Sequence, residues 1–406
     1  MPALICGSLA FDTITTFPGR FAQQILPEQV HILNVSFLVP TLRREFGGCA
    51  GNIAYSLRQL GGEPLVMATV GSDGHEYLQR LQSWGASAEY VRVVPDSYTA
   101  QAIIITDIDN NQITAFHPGA MQSAHLNVVP ARDDVRIAIV APDGRDAMLQ
   151  HAAQLAAAGI EFIFDPGQGL PMFDGAELKR FVEQASWVAV NDYEGRMLCE
   201  RTGETLESLS RSHLKGVIVT LGAQGCDLWQ QGVRTHVSGV AATEVVDPTG
   251  CGDAFRAALL YGLERGWPLM RCVALGNRVG ALRAAAARTT ASILPFWRLE
   301  NLVLQFCRDR PKCRDHGSKL DHLERGRRLV RRRLGRVPLV VWAQSRHIEA
   351  PARQGRPGTP ACGSAGTAAA QAGREAAKGN VGNAPREHAC CGPARPRAPS
   401  RIRAQQ

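Results

Sequence analysis

The chain has 406 residues and a formal charge of +8, enough length for more than one domain. The charge is unevenly placed: residues 298–406 hold 23 Lys and Arg against 8 Asp and Glu, net +15, whereas residues 1–297 hold 22 against 29, net −7. The first 297 residues thus have the balance of an ordinary, mildly acidic globular protein. Their six cysteines (Cys6, Cys49, Cys199, Cys226, Cys251 and Cys272) show no CxxC and no metal-ligand spacing, which excludes a zinc module. The opening MPALICGSLAFD lacks a basic leader, and no apolar run reaches membrane-spanning length. A cytoplasmic protein with free thiols and no membrane partner is expected.

In chain order, Ala3 to Cys6 reads as a short buried strand ending at Gly7-Ser8. Asp12 follows, either as a turn or cap residue or as an acceptor for sugar hydroxyls. Residues 13–46 contain short β-like pieces, among them His31 to Val39. Beyond Glu45-Phe-Gly-Gly-Cys-Ala-Gly-Asn52, the residues Ile53, Leu57 and Leu60 have helical spacing. Gly47, Gly48 and Gly51 therefore crowd a helix N-terminus, where glycine lets a ligand approach the backbone. Asn52 carries a donor and an acceptor; it suits a vicinal diol or caps the helix.

Pro64 to Val70 reads as a strand and 75–84 as a helix. Ala100 to Thr106 and Gln112 to Phe116 read as two strands joined by a polar turn, and with the 13–46 pieces they predict a small separate sheet. From 135 onward, strands at Val135–Ala141, Ile160–Phe164, Trp187–Val190 and Gly216–Thr220 alternate with helices at 145–158, at 174–184 and from Asp192. That alternation predicts a parallel sheet covered by helices, with ligands at the carboxyl ends of its strands. Asn191, Glu194, Thr220, Gly222 and Gly225 lie at or just beyond such ends.

A strand-like run, Val237 to Val246, leads into Asp247-Pro-Thr-Gly-Cys-Gly-Asp253-Ala-Phe255. An apolar stretch with helical spacing comes next, so Gly250-Cys251-Gly252 opens a helix. Free N–H groups and the dipole at such an end make an anion site. Asp253 would repel phosphate there. It makes sense as a base that takes the proton of a hydroxyl attacking that phosphate. A capped helix with an acid in its first turn is the plain alternative.

Taken together, these residues resemble the PfkB (ribokinase-like) family of carbohydrate and nucleoside kinases over nearly all of 1–285. Gly47 to Asn52 looks like the family's N-terminal glycine signature, Asp247 to Phe255 like its C-terminal one, and Asn191-Asp-Tyr-Glu194 like its NxxE motif. The resemblance implies an α/β/α three-layer sandwich with a small β-sheet lid, formed by pieces near 13–46 and 98–117 of a kinase domain spanning 1–297. It implies ATP with Mg²⁺, and K⁺ as a candidate monovalent cation. Asp253 becomes the catalytic base, and Gly250, Cys251 and Gly252 an anion hole. Asp12 and Asn52, with Gly48 beside them, match positions that hold the acceptor's hydroxyls. Asn191, Thr220, Gly222, Gly225 and Asn277 fall to the nucleotide, Glu194 to magnesium through water, and Asp247 and Thr249 to the monovalent cation. The run from Ile32 to Gly48 is most similar to bacterial adenosine or nucleoside kinases. Phe11, Phe37 and Phe116 suit stacking on a base or form the core of a lid. Arg44 reaches for the γ-phosphate or is a solvated lid residue. The activity implied is ATP-dependent 5′-phosphorylation of a nucleoside, adenosine to AMP first, as in purine salvage. A sugar kinase of ribokinase or fructokinase type and a catalytically silent binding protein are the alternatives. Lid sheets that pair between subunits make a homodimer compatible with the family.

After about Ala285 the family pattern stops, and 298–406 turns Arg/Ala/Gly/Pro-rich, with Lys only at Lys312, Lys319 and Lys378. We read this tail as disordered, the product of a shifted reading frame or a misassigned C-terminus. The rival reading is a nucleic-acid-binding arm or basic amphipathic helix centred on Arg325 to Arg336, the only nucleic-acid candidate in the chain.

Overall fold

The structure is a computed structural model that describes residues 1–25, 34–242, 245–246 and 249–285. The expectations for the tail, for His31 to Leu33 and for Asp247 lie outside those residues. The strands are β1 (Pro2–Cys6), β2 (Ala10–Thr16), β3 (Thr41–Gly47), β4 (Glu63–Gly71), β5 (Ser87–Val94), β6 (Ala100–Thr106), β7 (Gln112–His117), β8 (Ile137–Val140), β9 (Glu161–Phe164), β10 (Trp187–Asn191), β11 (Gly216–Thr220), β12 (Gly225–Gln230) and β13 (Val233–Ser238). The α-helices are α1 (Phe21–Gln24), α2 (Cys49–Gln59), α3 (His75–Ser83), α4 (Arg145–Ala157), α5 (Gly175–Gln184), α6 (Asp192–Thr202), α7 (Leu206–Arg211), α8 (Cys251–Glu264) and α9 (Leu269–Ala284).

Nine strands form the main sheet in the order β13-β12-β11-β10-β9-β8-β1-β4-β5. It is parallel from β11 to β5, as the alternation of apolar runs and helices predicts. Successive side chains of a strand point to opposite faces, and both faces are buried. Ala3, Ile5, Val66, Ile139, Ala189 and Ile218 meet α2, α3, α8 and α9 in one core. Leu4, Met67, Val140, Phe164, Val190 and Val219 meet α4 to α7 in the other. That is why these strands read as continuous apolar runs rather than alternating ones. Each fully buried Leu, Ile or Phe contributes about 1.5–3 kcal/mol of transfer free energy.

Helix α8 is pressed against α9 at two glycines. A Cβ on Gly276 would stand 2.6 Å from the Phe255 ring, and one on Gly262 2.5 Å from Cys272 Sγ. The close crossing fixes α8, and with it the turn Gly250–Gly252.

Four strands form the small sheet in the order β3-β2-β6-β7. β2 pairs parallel with β6, and the other two pairs are antiparallel. Three residues, Gly7 to Leu9, lead from β1 into β2, so the small sheet starts at a carboxyl end of the main one. Tyr77 of α3 ties the two together: its hydroxyl donates to the Gly47 carbonyl at 2.6 Å while its ring packs on Phe11 and Phe46.

Three expectations change. β5 and the antiparallel pair β12–β13 lengthen the main sheet; β13 is largely exposed and its residues carry no apolar signal. Among the described residues of the run from Val237 to Val246, only Val237 and Ser238 are strand. Gly239 then turns out of the sheet, donating to the Gln224 carbonyl at 3.0 Å, so close that a Cβ would meet Ala223 O at 2.2 Å. Residues 34–39 form no strand; Phe37 packs edge-on to Phe17 and Phe21 instead of presenting its backbone to a sheet.

Candidate active site

The site grows from two glycine-rich helix N-termini. At the first, α2 starts at Gly48 against the turn leaving β1. Ala50 N–H donates to Ser8 O at 3.0 Å and Cys49 N–H to Ser8 Oγ at 3.3 Å. Gly48 has φ +87°, and a Cβ there would stand 2.5 Å from Ser8 O and 2.7 Å from Ala10 N. A Cβ on Gly47 would fall 2.7 Å from Asp12 Oδ2. The Asp12 side chain therefore lies on this turn, with the residue only 9% exposed. Asn52 is not a cap: Gly48 is the N-cap and makes no side-chain cap bond.

At the second, α8 starts at Gly250, in the left-handed region at φ +76°, again with no capping side chain. Asp253 stands in its first turn. The two ends meet: Asn52 Nδ2 donates to Asp253 Oδ2 at 2.8 Å across 201 residues of sequence. A Cβ on Gly250 would lie 3.9 Å from Asn52 Nδ2 and from Asp253 Oδ2, and 3.5 Å from Arg283 Nε of α9. Thr249 is exposed just before this turn. The structure thus gathers Asp12, Gly48, Asn52, Gly250, Cys251, Gly252 and Asp253 into one place.

A second group lies at the carboxyl ends of β10 and β11. Thr220 Oγ1 donates to Val190 O at 3.4 Å. The loop through Gly222 (φ +58°) to Gly225 (φ +102°) closes when Leu221 N–H donates to Gly225 O at 2.8 Å. Gly225 pairs with Ser238, and Asn277 Nδ2 donates to Val237 O and Ser238 O at 3.0 and 3.1 Å. Asn277 therefore closes one side of this loop and pins β13 to α9. Asn191 and Glu194 form a reciprocal capping box at the start of α6. Glu194 N–H donates to Asn191 Oδ1 at 2.7 Å, while Glu194 Oε2 accepts from Asn191 N–H at 2.8 Å and Oε1 from Asn191 Nδ2 at 2.7 Å. Burial pushes the Glu194 carboxyl up, against the hydrogen bond from the Asn191 N–H.

The three phenylalanines do not form one wall. Phe11 is buried under Arg44, whose Cζ sits 3.5 Å from its ring centroid. Phe37 belongs to the Phe17–Phe21 cluster. Only Phe116, 54% exposed, shares the Asp12 face, through the cross-strand row Asp12, Ala102, Phe116. Arg44 is engaged by Asp73 at 3.2 Å and Glu76 at 3.6 Å.

Two buried acids at strand ends escape the sequence reading. Asp165, after β9, takes Nε and Nη2 of Arg256 in a fork of 3.1 and 3.0 Å. Burial pushes the Asp165 carboxyl up, and the Arg256 guanidinium works against that shift. The strand-end rule that marks Asn191 and Thr220 marks Asp165 equally; its partner, 91 residues on, has no sequence signal.

Asp143, after β8, is 2% exposed; Oδ1 accepts from Gly144 N–H at 2.9 Å, and Oδ2 has no hydrogen-bond partner among the described residues. Burial pushes its carboxyl up to about 7, the Gly144 N–H bond opposing. Folded and unfolded forms both hold the proton below about pH 4, the ordinary carboxylate range, and stability hangs on it from there upward. Stability is lost as pH rises through about 7, by an amount on the order of 1–4 kcal/mol. Asp143→Asn has no such loss, so its melting temperature gains on the wild type between pH 4 and 8. Melting curves that stay parallel across that range contradict the assignment.

The sequence pattern of the pfkB family carbohydrate kinases matches residues 22–296. The chain belongs to the pfkB kinase family. Among solved structures this kinase is similar to the nucleoside kinase of Burkholderia thailandensis in complex with inosine. The two are 49% identical, with a TM-score of 0.65, over 74% of this chain and 97% of that one. The same protein in complex with ADP-inosine is 51% identical, TM-score 0.63, over 74% and 95%. A nucleoside kinase of Methanocaldococcus jannaschii is 28% identical over 270 residues, 65% of this chain and 87% of its own. Fructokinase-2 of Solanum lycopersicum is 28% identical over 236 residues, 53% of this chain and 71% of its own. The ribokinase-like sandwich expected from the two glycine signatures is the fold found. Among the described residues no helix is long and apolar enough to cross a membrane.

Proposed function

We propose that this kinase transfers the γ-phosphoryl group of ATP to the 5′-hydroxyl of a purine nucleoside, adenosine or inosine. The contact that carries the chemistry is Asn52 Nδ2 on Asp253 Oδ2, which sets a diol-binding amide beside a carboxylate at a helix N-terminus. The nucleoside reading is supported by the 49% identity to a nucleoside kinase in complex with inosine. It is supported too by Phe116 on the Asp12 face, an exposed ring suited to stacking on a base.

In this reading the nucleoside's ribose hydroxyls sit on Asp12 and Asn52 and its 5′-oxygen faces Asp253. That oxygen bonds to the γ-phosphorus as the bond from γ-phosphorus to the β,γ-bridging oxygen breaks. Asp253 takes the hydroxyl proton, and ADP leaves. N–H groups of the Gly250–Gly252 turn hold charge on the transferred group. The nucleotide lies along Thr220, Gly222, Gly225 and Asn277. The small sheet acts as a lid that keeps water from competing as acceptor.

For magnesium, no three His, Cys, Asp or Glu side chains converge as a cage among the described residues. Glu194, at the carboxyl end of β10, has both oxygens already accepting from Asn191. Such a donor set fits an ion carried by the triphosphate and touched through water. Bound there, it would supply positive charge to the phosphates. For a monovalent cation, Thr249 is the one described member of the expected pair.

A fructokinase-type acceptor is the second reading, favoured by the likeness to fructokinase-2. One assay separates them: ATP consumption with adenosine, inosine, ribose and fructose, with and without K⁺. Turnover of a nucleoside well above either sugar is expected. Turnover of fructose or ribose alone overturns the nucleoside reading, and no turnover on any acceptor favours a binding protein.

A further inference from the structure

Arg256 is the only buried arginine among the described residues, at 5% exposure. Burying a guanidinium carries a large desolvation penalty that its partner must offset. Helix α8 does not need that charge for packing, because Ala254, Phe255, Ala257, Leu259 and Leu260 already bury its apolar face. Arg256 follows Asp253 by three residues, so the two share a helix face. Its side chain runs back toward the helix N-terminus, as helical geometry directs: Nη1 would stand 3.4 Å from a Cβ on Gly252. Nε and Nη2 are held by Asp165, and Nη2 also donates to Ala189 O at 3.4 Å. Burial works against the Arg256 charge, and Asp165 outweighs it, with smaller help from Glu194 and Asp253.

This placement answers a difficulty in the proposed site. An anion hole that contains Asp253 repels the anion it must hold, and a fixed cation behind the turn offsets that repulsion. We propose that Arg256, clamped by Asp165, is a positioning residue for phosphoryl transfer that sets a fixed positive charge beneath the Gly250–Gly252 turn. The role rests on the phosphoryl-transfer reading above. Arg256 acts through the turn and through the charge balance at Asp253, while Asp165 sets the direction of its fork.

Steady-state kinetics on the full chain tests it, with ATP and whichever acceptor the wild type uses best. A wild type inactive on every acceptor refutes the kinase reading itself, before any variant is compared. Arg256→Met alone leaves Asp165 charged and buried without a partner and so destabilises the fold. The informative variant is therefore the double replacement Asp165→Asn with Arg256→Met, which buries no charge. It is expected to melt near the wild type and to keep KM for both substrates within about threefold. Its kcat is expected to fall by about ten- to a hundredfold, below the scale for losing a donor that touches the oxyanion. Arg256→Lys, which keeps the charge but not the fork, should recover part of that turnover. A double variant with kcat within about threefold of wild type overturns the proposal. So does a loss confined to KM, a failure of the double variant to fold, or an Arg256→Lys no better than the double.

Discussion

Asp253→Asn is expected to lower kcat by about 10²–10⁴-fold, the scale for losing a general base, while nucleotide and nucleoside still bind. The replacement is nearly isosteric, so the first turn of α8 and its packing through Phe255 on Gly276 are kept. The Asn52 contact can survive as well, since the amide oxygen of the new side chain can accept from Asn52 Nδ2 where Oδ2 does at 2.8 Å. What is lost is the ability to take a proton at that atom. Single-turnover kinetics together with calorimetric titration of ADP and the nucleoside separates the two effects. Near-normal turnover would remove Asp253 from the role of base, and a parallel loss of binding would make it a structural member of the turn.

Gly48→Ala is expected to cost about 2–5 kcal/mol, the sum of left-handed strain and forced overlap in a packed place. The new methyl would stand 2.5 Å from Ser8 O, 2.7 Å from Ala10 N and 2.8 Å from Leu9 Cα. All three are backbone atoms of the turn that joins the two sheets or of the first residue of β2, and none can swing aside like a side chain. Gly61→Ala is the control: φ is nearly the same, at +84°, but nothing lies within 4 Å of the added atom. It should cost only about 1 kcal/mol, the lower end of the strain alone. Urea unfolding of both variants isolates the contact. Equal losses would mean that Gly48 is needed for its dihedral angle and not for the closeness of β1, β2 and α2. Because Asp12 rests on the same turn, Gly48→Ala should also weaken acceptor binding in whatever fraction folds.

The main sheet was legible because parallel, doubly covered strands are apolar throughout. Runs such as Leu4-Ile-Cys, Ile137-Ala-Ile-Val and Val217-Ile-Val mark them locally. β13 was not legible, because an exposed edge strand carries Arg, Thr and His where a buried one carries Val and Ile. Phe116 and Phe11 look alike in the sequence, yet cross-strand register puts one on the Asp12 face, two strands away, and the other on the opposite face beneath Arg44.

The NxxE motif is a local pattern that a helix cap explains. Asn191 and Glu194 cap α6 reciprocally, which accounts for their spacing without any ligand, and the same cap places a carboxylate beyond the end of β10. The sequence by itself determined the alternating α/β layers, the two glycine-rich helix starts and the acid in the second of them. All of these are written in periods of two or 3.6 residues or in contiguous motifs, and so need no distant partner. The tertiary structure decided that Asn52 meets Asp253 across 201 residues and that Asp165 grips Arg256 across 91. Those pairs exist only because the fold lays α2 against α8 and brings the carboxyl end of β9 to Arg256, and a charge buried there must find its partner through the fold.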